Sequence, residues 1–209
     1  MIFISSKISD GNMSSYCGDL NQAIRNKNKF FKNIGLNPEN VVELRQVHGD
    51  KIIKVNTNSK NNTTKEADGL ITNNPNIYLM IKAADCHQIG FYDPVHKATA
   101  LIHAGYKGLE KGIIKKVVLA MQKNYGTDVR DLIVKFGPSI GPCHYRLDIW
   151  TDAENQLMNL GILKENIDNP KICTYENQDY FSHRRAKDTD TEDFRFATIL
   201  GIKNEKENS

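Results

Sequence analysis

The chain reads as an α+β protein, one domain in which mixed β-sheets pack against helices. Short apolar runs bounded by Asp, Asn, Pro and Gly crowd its middle, and the long helical stretches are too few for a regular alternation of strand and helix. The 209 residues are long for one domain and short for two. No Pro/Gly/Ser-rich linker or abrupt shift of composition divides them, so a single unit over 1–209 is expected.

Taken in order, IFIS at 2–5 forms a first strand. A helix then starts on the cap Asp19, carries Leu20, Ile24, Phe31 and Ile34 on one face and stops at Gly35. VVELRQV is a strand from Val41, with KIIKVN from Lys51 as its hairpin partner or continuation. The polar stretch over 56–67 is an exposed, mobile loop. Four short strands follow, GLIT, IYLMIKAA, QIGFYD and KATALIHA, several apolar throughout and so buried on both faces. From Leu109 to Tyr125 the spacing of Ile113, Ile114, Val117, Val118 and Met121 predicts the clearest helix, ended by Gly126. DLIVKFG is another buried strand, GPSIGPCHY a glycine and proline loop, and a helix from the cap Asp148 closes at Gly161. ICTY and FRFATILGI are the last strands, and 203–209 a frayed tail.

With 39% hydrophobic and 25% charged residues, the chain has enough apolar side chains to bury a core. The net charge of +3 is spread rather than blocked, which argues against a nucleic-acid surface and a membrane patch. The N-terminal apolar run is too short for a signal peptide and no stretch approaches a membrane span, so a cytoplasmic protein is expected. Cys17, Cys86, Cys143 and Cys173 lie far apart without a CxxC pair, which excludes a zinc ribbon and makes each cysteine a separate case.

Three residues stand out by position. Cys86 follows IYLMIKAAD, His103 follows KATALI, and His48 follows VVELRQV, so each closes an apolar run. Each also has Ala or Gly within two positions, which leaves room for close approach. One thiolate and two imidazoles suffice to hold zinc with a position left open. The plainer reading is a buried thiol and hydrogen-bonded histidines. Cys143 and His144 form a Cys–His pair in sequence, but on an extended segment such neighbours point apart, and a loop role for GPSIGPCHY is the simpler reading. Arg184 and Arg185 are either ligands for a phosphate or carboxylate or structural arginines. Asp85 is a conceivable proton carrier that strand alternation turns away from Cys86, and the same alternation sends His87 to the opposite side, as a supporting or surface histidine.

The motifs QVHG at 46–49, ADC at 84–86, HAG at 103–105 and GPSIGPC at 137–143, followed by CTY and YFSHRR, occur in one order along nearly the whole chain. In this the sequence resembles the YfiH-like family, also called the laccase-domain, multicopper polyphenol oxidase or peptidoglycan editing factor family. The resemblance implies one zinc held by His48, Cys86 and His103. It also implies phosphorolysis of adenosine, inosine and methylthioadenosine to the free base and ribose 1-phosphate or its methylthio analogue, with adenosine deamination besides. The expected partners are thus a purine nucleoside and phosphate. Lys107, Arg184 and Arg185 are the sequence's candidates for phosphate.

The chain departs from the family pattern in three places. Tyr106 and Lys107 stand where the family has Trp and Arg, which keeps a positive charge but loses the bidentate fork. AADCHQ replaces TADCLP, and KDTDTED lengthens the acidic run before Arg195. Two other readings remain, a copper polyphenol oxidase and a peptidoglycan-precursor editing factor. Against the first, blue and trinuclear copper centres together need about ten histidines, because copper favours imidazole, and the chain has six. Copper can nevertheless substitute for zinc at an S/N site.

Overall fold

The computed structural model describes residues 1–56 and 65–203. The loop expected over 56–67 and the tail expected from 203 therefore lie largely outside the described residues. In chain order the elements are β1 (Ile2–Ser5), α1 (Leu20–Asn33), β2 (Val41–Glu43), β3 (Ile52–Lys54) and β4 (Gly69–Thr72). Next come β5 (Tyr78–Ala83), β6 (His87–Asp93), β7 (Ala98–Ala104), α2 (Tyr106–Glu110) and α3 (Ile113–Tyr125). The last are β8 (Ile133–Phe136), α4 (Ile149–Asn159), β9 (Ile167–Asp168), α5 (His183–Thr189) and β10 (Phe196–Gly201).

The strands form two mixed sheets, ordered β1-β10-β5-β2 and β3-β4-β7-β6-β8-β9. In the first only β2 and β5 run parallel; in the second β3 with β4 and β8 with β9 do. The α+β class expected from the sequence is the one observed.

Side-chain alternation explains the continuous apolar runs. On β5, Leu79 and Ile81 join Val42, Leu70, Leu101 and Leu200 in a core between the two sheets. Their neighbours Tyr78 and Met80 face the other way, against Phe30 and Phe31 of α1. On β7, Leu101 faces the first sheet while Ala100 and Ile102 pack on Ile113, Val117 and Met121 of α3. Both central strands are buried on both faces because helices cover the outer sides of the stack.

Val117 is 0% exposed in this outer core. Val117→Asp places an unpaired charge there and is expected to lose more than about 3 kcal/mol of stability. The check is the urea midpoint, and a midpoint equal to wild type would show that α3 is not a core element.

Several sequence expectations change. KIIKVN is neither partner nor continuation of the preceding strand, since β3 pairs with β4 in the other sheet. The helix expected from Leu109 is two helices, broken at Gly112 in the left-handed region (φ 74). On α1 the buried set is Ala23, Lys27, Phe30 and Phe31, while Leu20 and Ile24 are 51% and 42% exposed. The face is rotated because Lys27 turns inward to Glu43, with Nζ 2.5 Å from its carboxylate. β8 alternates buried and partly exposed residues instead of being buried throughout. Cys173 makes only an isolated bridge to Ser139 in place of a strand. YFSHRR leads into α5, a helix the sequence reading lacked, with Ser182 as its cap.

Candidate metal centre

Three chain segments meet at one end of the sheet stack. His103 sits on β7, one residue before its end, in register with Gln88. Cys86 lies in the turn between β5 and β6, after Asp85 at φ 87. His48 does not close a strand as expected. β2 ends at Glu43, and His48 stands five residues on, in a loop at φ 56.

That loop is held from two sides. The Gln46 side chain donates to Lys82 O at 2.6 Å and accepts from Lys82 N at 2.9 Å, docking the segment on β5. The buried Asp68 carboxylate accepts the N–H groups of Val47, His48 and Gly49 at 3.2, 3.0 and 2.7 Å. Two non-glycine residues with positive φ beside one site are uncommon, and such strain persists only where the surroundings fix it.

Asp68 also lies 2.8 Å from His103 Nδ1. A carboxylate accepts, so Nδ1 carries the proton and Nε2 is left for the centre. Burial raises the Asp68 carboxyl, but the bond and charge of His103 and the N–H donors of Gly49 and Val47 outweigh it and hold it below the usual range. Burial likewise pushes the Cys86 thiol up. The positive charge of His103 and hydrogen bonds from His103 and His48 overcome this and bring it down to about 6. His103, lowered by burial but raised more by Cys86 and Asp68, reaches about 9.

The ligand atoms of His48, Cys86 and His103 lie within 4.8 Å of one another, and the two imidazoles meet edge to face at 4.7 Å between centroids. One sulfur and two nitrogens at this spacing suit a zinc ion with a free position. Gly105 makes the approach possible, because a Cβ there would stand 2.7 Å from Cys86 Sγ.

A cleft of about 870 Å³ opens over this centre. Tyr16, Tyr106 and Tyr145 are among its walls, and Arg45, Lys82, Lys107, Lys111, Arg184 and Arg195 bring positive charge. Four of these cations are engaged: Arg45 with Glu66, Lys82 with Glu43, Arg195 with Asp193, and Arg184 over the Tyr145 ring at 5.8 Å. Among the described residues Lys107, Lys111 and Arg184 face no carboxylate within ion-pair distance. Arg185 lies outside the cleft wall. Its guanidinium donates to the carbonyls of Thr174 and Tyr175 at 2.6 and 2.8 Å and to that of Tyr180, so it ties loops together.

Asp85 does turn away from the centre. It accepts from the Thr174 hydroxyl and from Arg184 N, both at 2.7 Å. His87 is not a surface histidine but 0% exposed, with Nε2 3.1 Å from Ile149 O and its ring edge-on to Phe136. Burial pulls it down to about 4, so it is a neutral core residue. Cys143 and His144 do not point apart, because 142–144 is a turn and not an extended segment. Both approach Cys173.

The sequence reading passed over Asp68, Gln46, Glu43, Lys111 and His183. Only its buried contact with His103 reveals the part Asp68 plays. His183 also lines the cleft, with Nδ1 2.8 Å from Asp193.

Two sheets covered by helices, with a thiolate and two imidazoles beneath a cationic cleft, define the architecture of an enzyme for small molecules. The chain belongs to the family described as multi-copper polyphenol oxidoreductase laccase, whose model matches residues 3–147 and 144–203. A purine nucleoside phosphorylase of Bacteroides thetaiotaomicron is 27% identical, the alignment covering 85% of this chain and 82% of that protein. One from Borreliella burgdorferi is 33% identical over 70% of this chain and 74% of its own length. Among solved structures, the Bacillus licheniformis hypothetical protein YfiH matches with a TM-score of 0.87 at 26% identity, over 92% of this chain and 85% of that one. The resemblance drawn from QVHG, ADC and HAG therefore holds, and the likeness to YfiH agrees with the α+β fold. Among the described residues, no helix is long and apolar enough to cross a membrane.

Proposed function

We propose that this chain is a zinc-dependent purine nucleoside phosphorylase with adenosine deaminase activity, its metal held by His48, Cys86 and His103. The observation that carries this reading is the convergence of those three side chains, with His103 fixed by Asp68, at the floor of a cleft bearing free cations. The names of the Bacteroides and Borreliella relatives support it. When bound, zinc supplies Lewis acidity at the open position, the chemistry a hydrolytic deamination needs.

In phosphorolysis the bond between ribose C1′ and the purine nitrogen breaks, a phosphate oxygen bonds to C1′, and the leaving purine takes a proton. Lys107 and Arg184 hold the phosphate by charge, with Lys111 beside them. Tyr16, Tyr106 and Tyr145 offer ring faces to the base. His183 with Asp193 is a carboxylate-paired imidazole of the kind that passes a proton to a leaving group. Arg185, spent on backbone carbonyls, holds the fold and not the substrate.

The histidine positions count against a multicopper oxidase. Of six, His87 is in the core, His96 pairs with Asp93, His144 stacks on Tyr175 and His183 pairs with Asp193, which leaves two at the centre. The test is turnover of zinc-loaded protein. Adenosine with phosphate should yield adenine and ribose 1-phosphate plus some inosine, and His103→Ala should abolish it. A zinc form inert on every purine nucleoside, with a copper form that oxidises phenols through the same residues, would establish the oxidase reading instead.

A further inference from the structure

Cys143, His144 and Cys173 form a second cluster, built from the turn after β8 and the segment before α5. Their ligand atoms lie within 4.8 Å of one another. We infer that these three side chains are a structural site for a soft divalent cation, zinc by its donor set, with the fourth position open to solvent beside the exposed Glu176.

Sulfur spacing is the first argument. The two Sγ atoms are 3.6 Å apart. A disulfide needs about 2.05 Å, whereas two thiolates at about 2.3 Å from a tetrahedral zinc stand roughly 3.8 Å from each other. The observed separation is close to the edge of a metal tetrahedron.

Polar accounting is the second. His144 Nδ1 is buried and has no hydrogen-bond partner, while the ring itself is held by stacking on Tyr175 at 4.0 Å and 13°. The nearest carboxylate oxygen, Glu176 Oε1, is 3.7 Å away, too far for a hydrogen bond. A buried nitrogen fixed in place without a partner is a rarity that a metal would resolve. On the opposite side Gly141 N–H points at Cys173 Sγ from 3.3 Å and holds that sulfur in place beside the cluster.

Loop construction is the third. A Cβ at Gly141 would stand 3.2 Å from Cys143 Sγ and 2.7 Å from the Trp150 ring, so only glycine keeps the space beside that sulfur. The two segments are locked in register by Ser139 N to Ile172 O and Thr174 N to Ser139 O, both 3.1 Å. Cys143 is exposed, which gives a cation access from solvent. A cation here would brace the cleft wall. Ile140 and Tyr145 line the cleft on one side of the cluster, and on the other the Thr174 hydroxyl holds Asp85, which anchors Arg184.

The inference is independent of the centre at Cys86, and its test removes that centre. Cys86→Ser protein, reduced and loaded with cobalt(II), should bind about one cobalt per chain, with a thiolate charge-transfer band of the strength of two thiolates. Adding Cys143→Ser, at an exposed position that leaves the core alone, should cut cobalt affinity at least tenfold and about halve the band. No thiolate band in Cys86→Ser, or one untouched by Cys143→Ser, would overturn the assignment. So would protein that closes a Cys143–Cys173 disulfide in air, found by peptide mapping, and takes up no metal after reduction.

Discussion

Glu43→Gln is expected to lower the melting temperature by roughly 6–20 °C, the shift that about 3–5 kcal/mol produces in a protein of this size. Glu43 stands between two lysines, with Lys27 Nζ at 2.5 Å on one oxygen and Lys82 Nζ at 2.6 Å on the other, and none of the three side chains is more than 11% exposed. Removing the negative charge leaves two largely buried cations side by side, and their desolvation is then uncompensated. The packing is not at issue, because glutamine has nearly the same shape. Replacing all three at once, as Lys27→Met, Glu43→Leu and Lys82→Met, should therefore recover most of the loss. A melting temperature unmoved by Glu43→Gln would show that the triad is solvated in solution.

The same residue gives the sign of a pH effect. Burial raises the Glu43 carboxyl, but the charges of Lys82 and Lys27 and their hydrogen bonds reverse this and hold it below its ordinary value of 4.5. A depressed carboxyl contributes stability that is complete above the unfolded value and is lost as pH falls through the folded one. The gap between wild type and Glu43→Gln should thus be flat above about pH 4.5 and narrow below it.

Much of this architecture was legible because it is local. The period-2 and period-3.6 patterns, the caps Asp19 and Asp148 and the stops Gly35, Gly126 and Gly161 all act within a few residues, and each lies at an element boundary. What failed was long-range. Lys27 belongs to the buried face of α1 only because Glu43 waits across the interface. Cys143 and Cys173 are neighbours although 30 residues separate them, so judging each cysteine alone missed the pair. At the centre, the three side chains that the structure brings together, His48, Cys86 and His103, stood out by their places after apolar runs and near small residues, whereas Asp68 did not. A buried carboxylate that orients a histidine leaves no local pattern, since its partner lies 35 residues on.

Asp68 is where the second large effect is expected. If the three ligands hold zinc as proposed, Asp68→Asn should weaken metal binding by about 10–100-fold, the usual consequence of losing a ligand's supporting partner. Asparagine can sit in either orientation, and neither serves. With its oxygen toward His103 Nδ1–H, its amide N–H₂ confronts the N–H groups of Val47 and Gly49, and donor against donor pushes away the loop that carries His48. With the amide turned to His103, Nδ1 must become the acceptor and the proton moves to Nε2, the nitrogen needed for the metal. The measurement is zinc affinity by chelator competition, read beside the melting temperature of the same sample. A folded Asp68→Asn protein with wild-type zinc affinity would mean that Asp68 anchors the loop without tuning the centre. A loss of affinity in protein that remains folded would place this buried carboxylate in the metal's support, bonded at once to one ligand's ring and another's backbone.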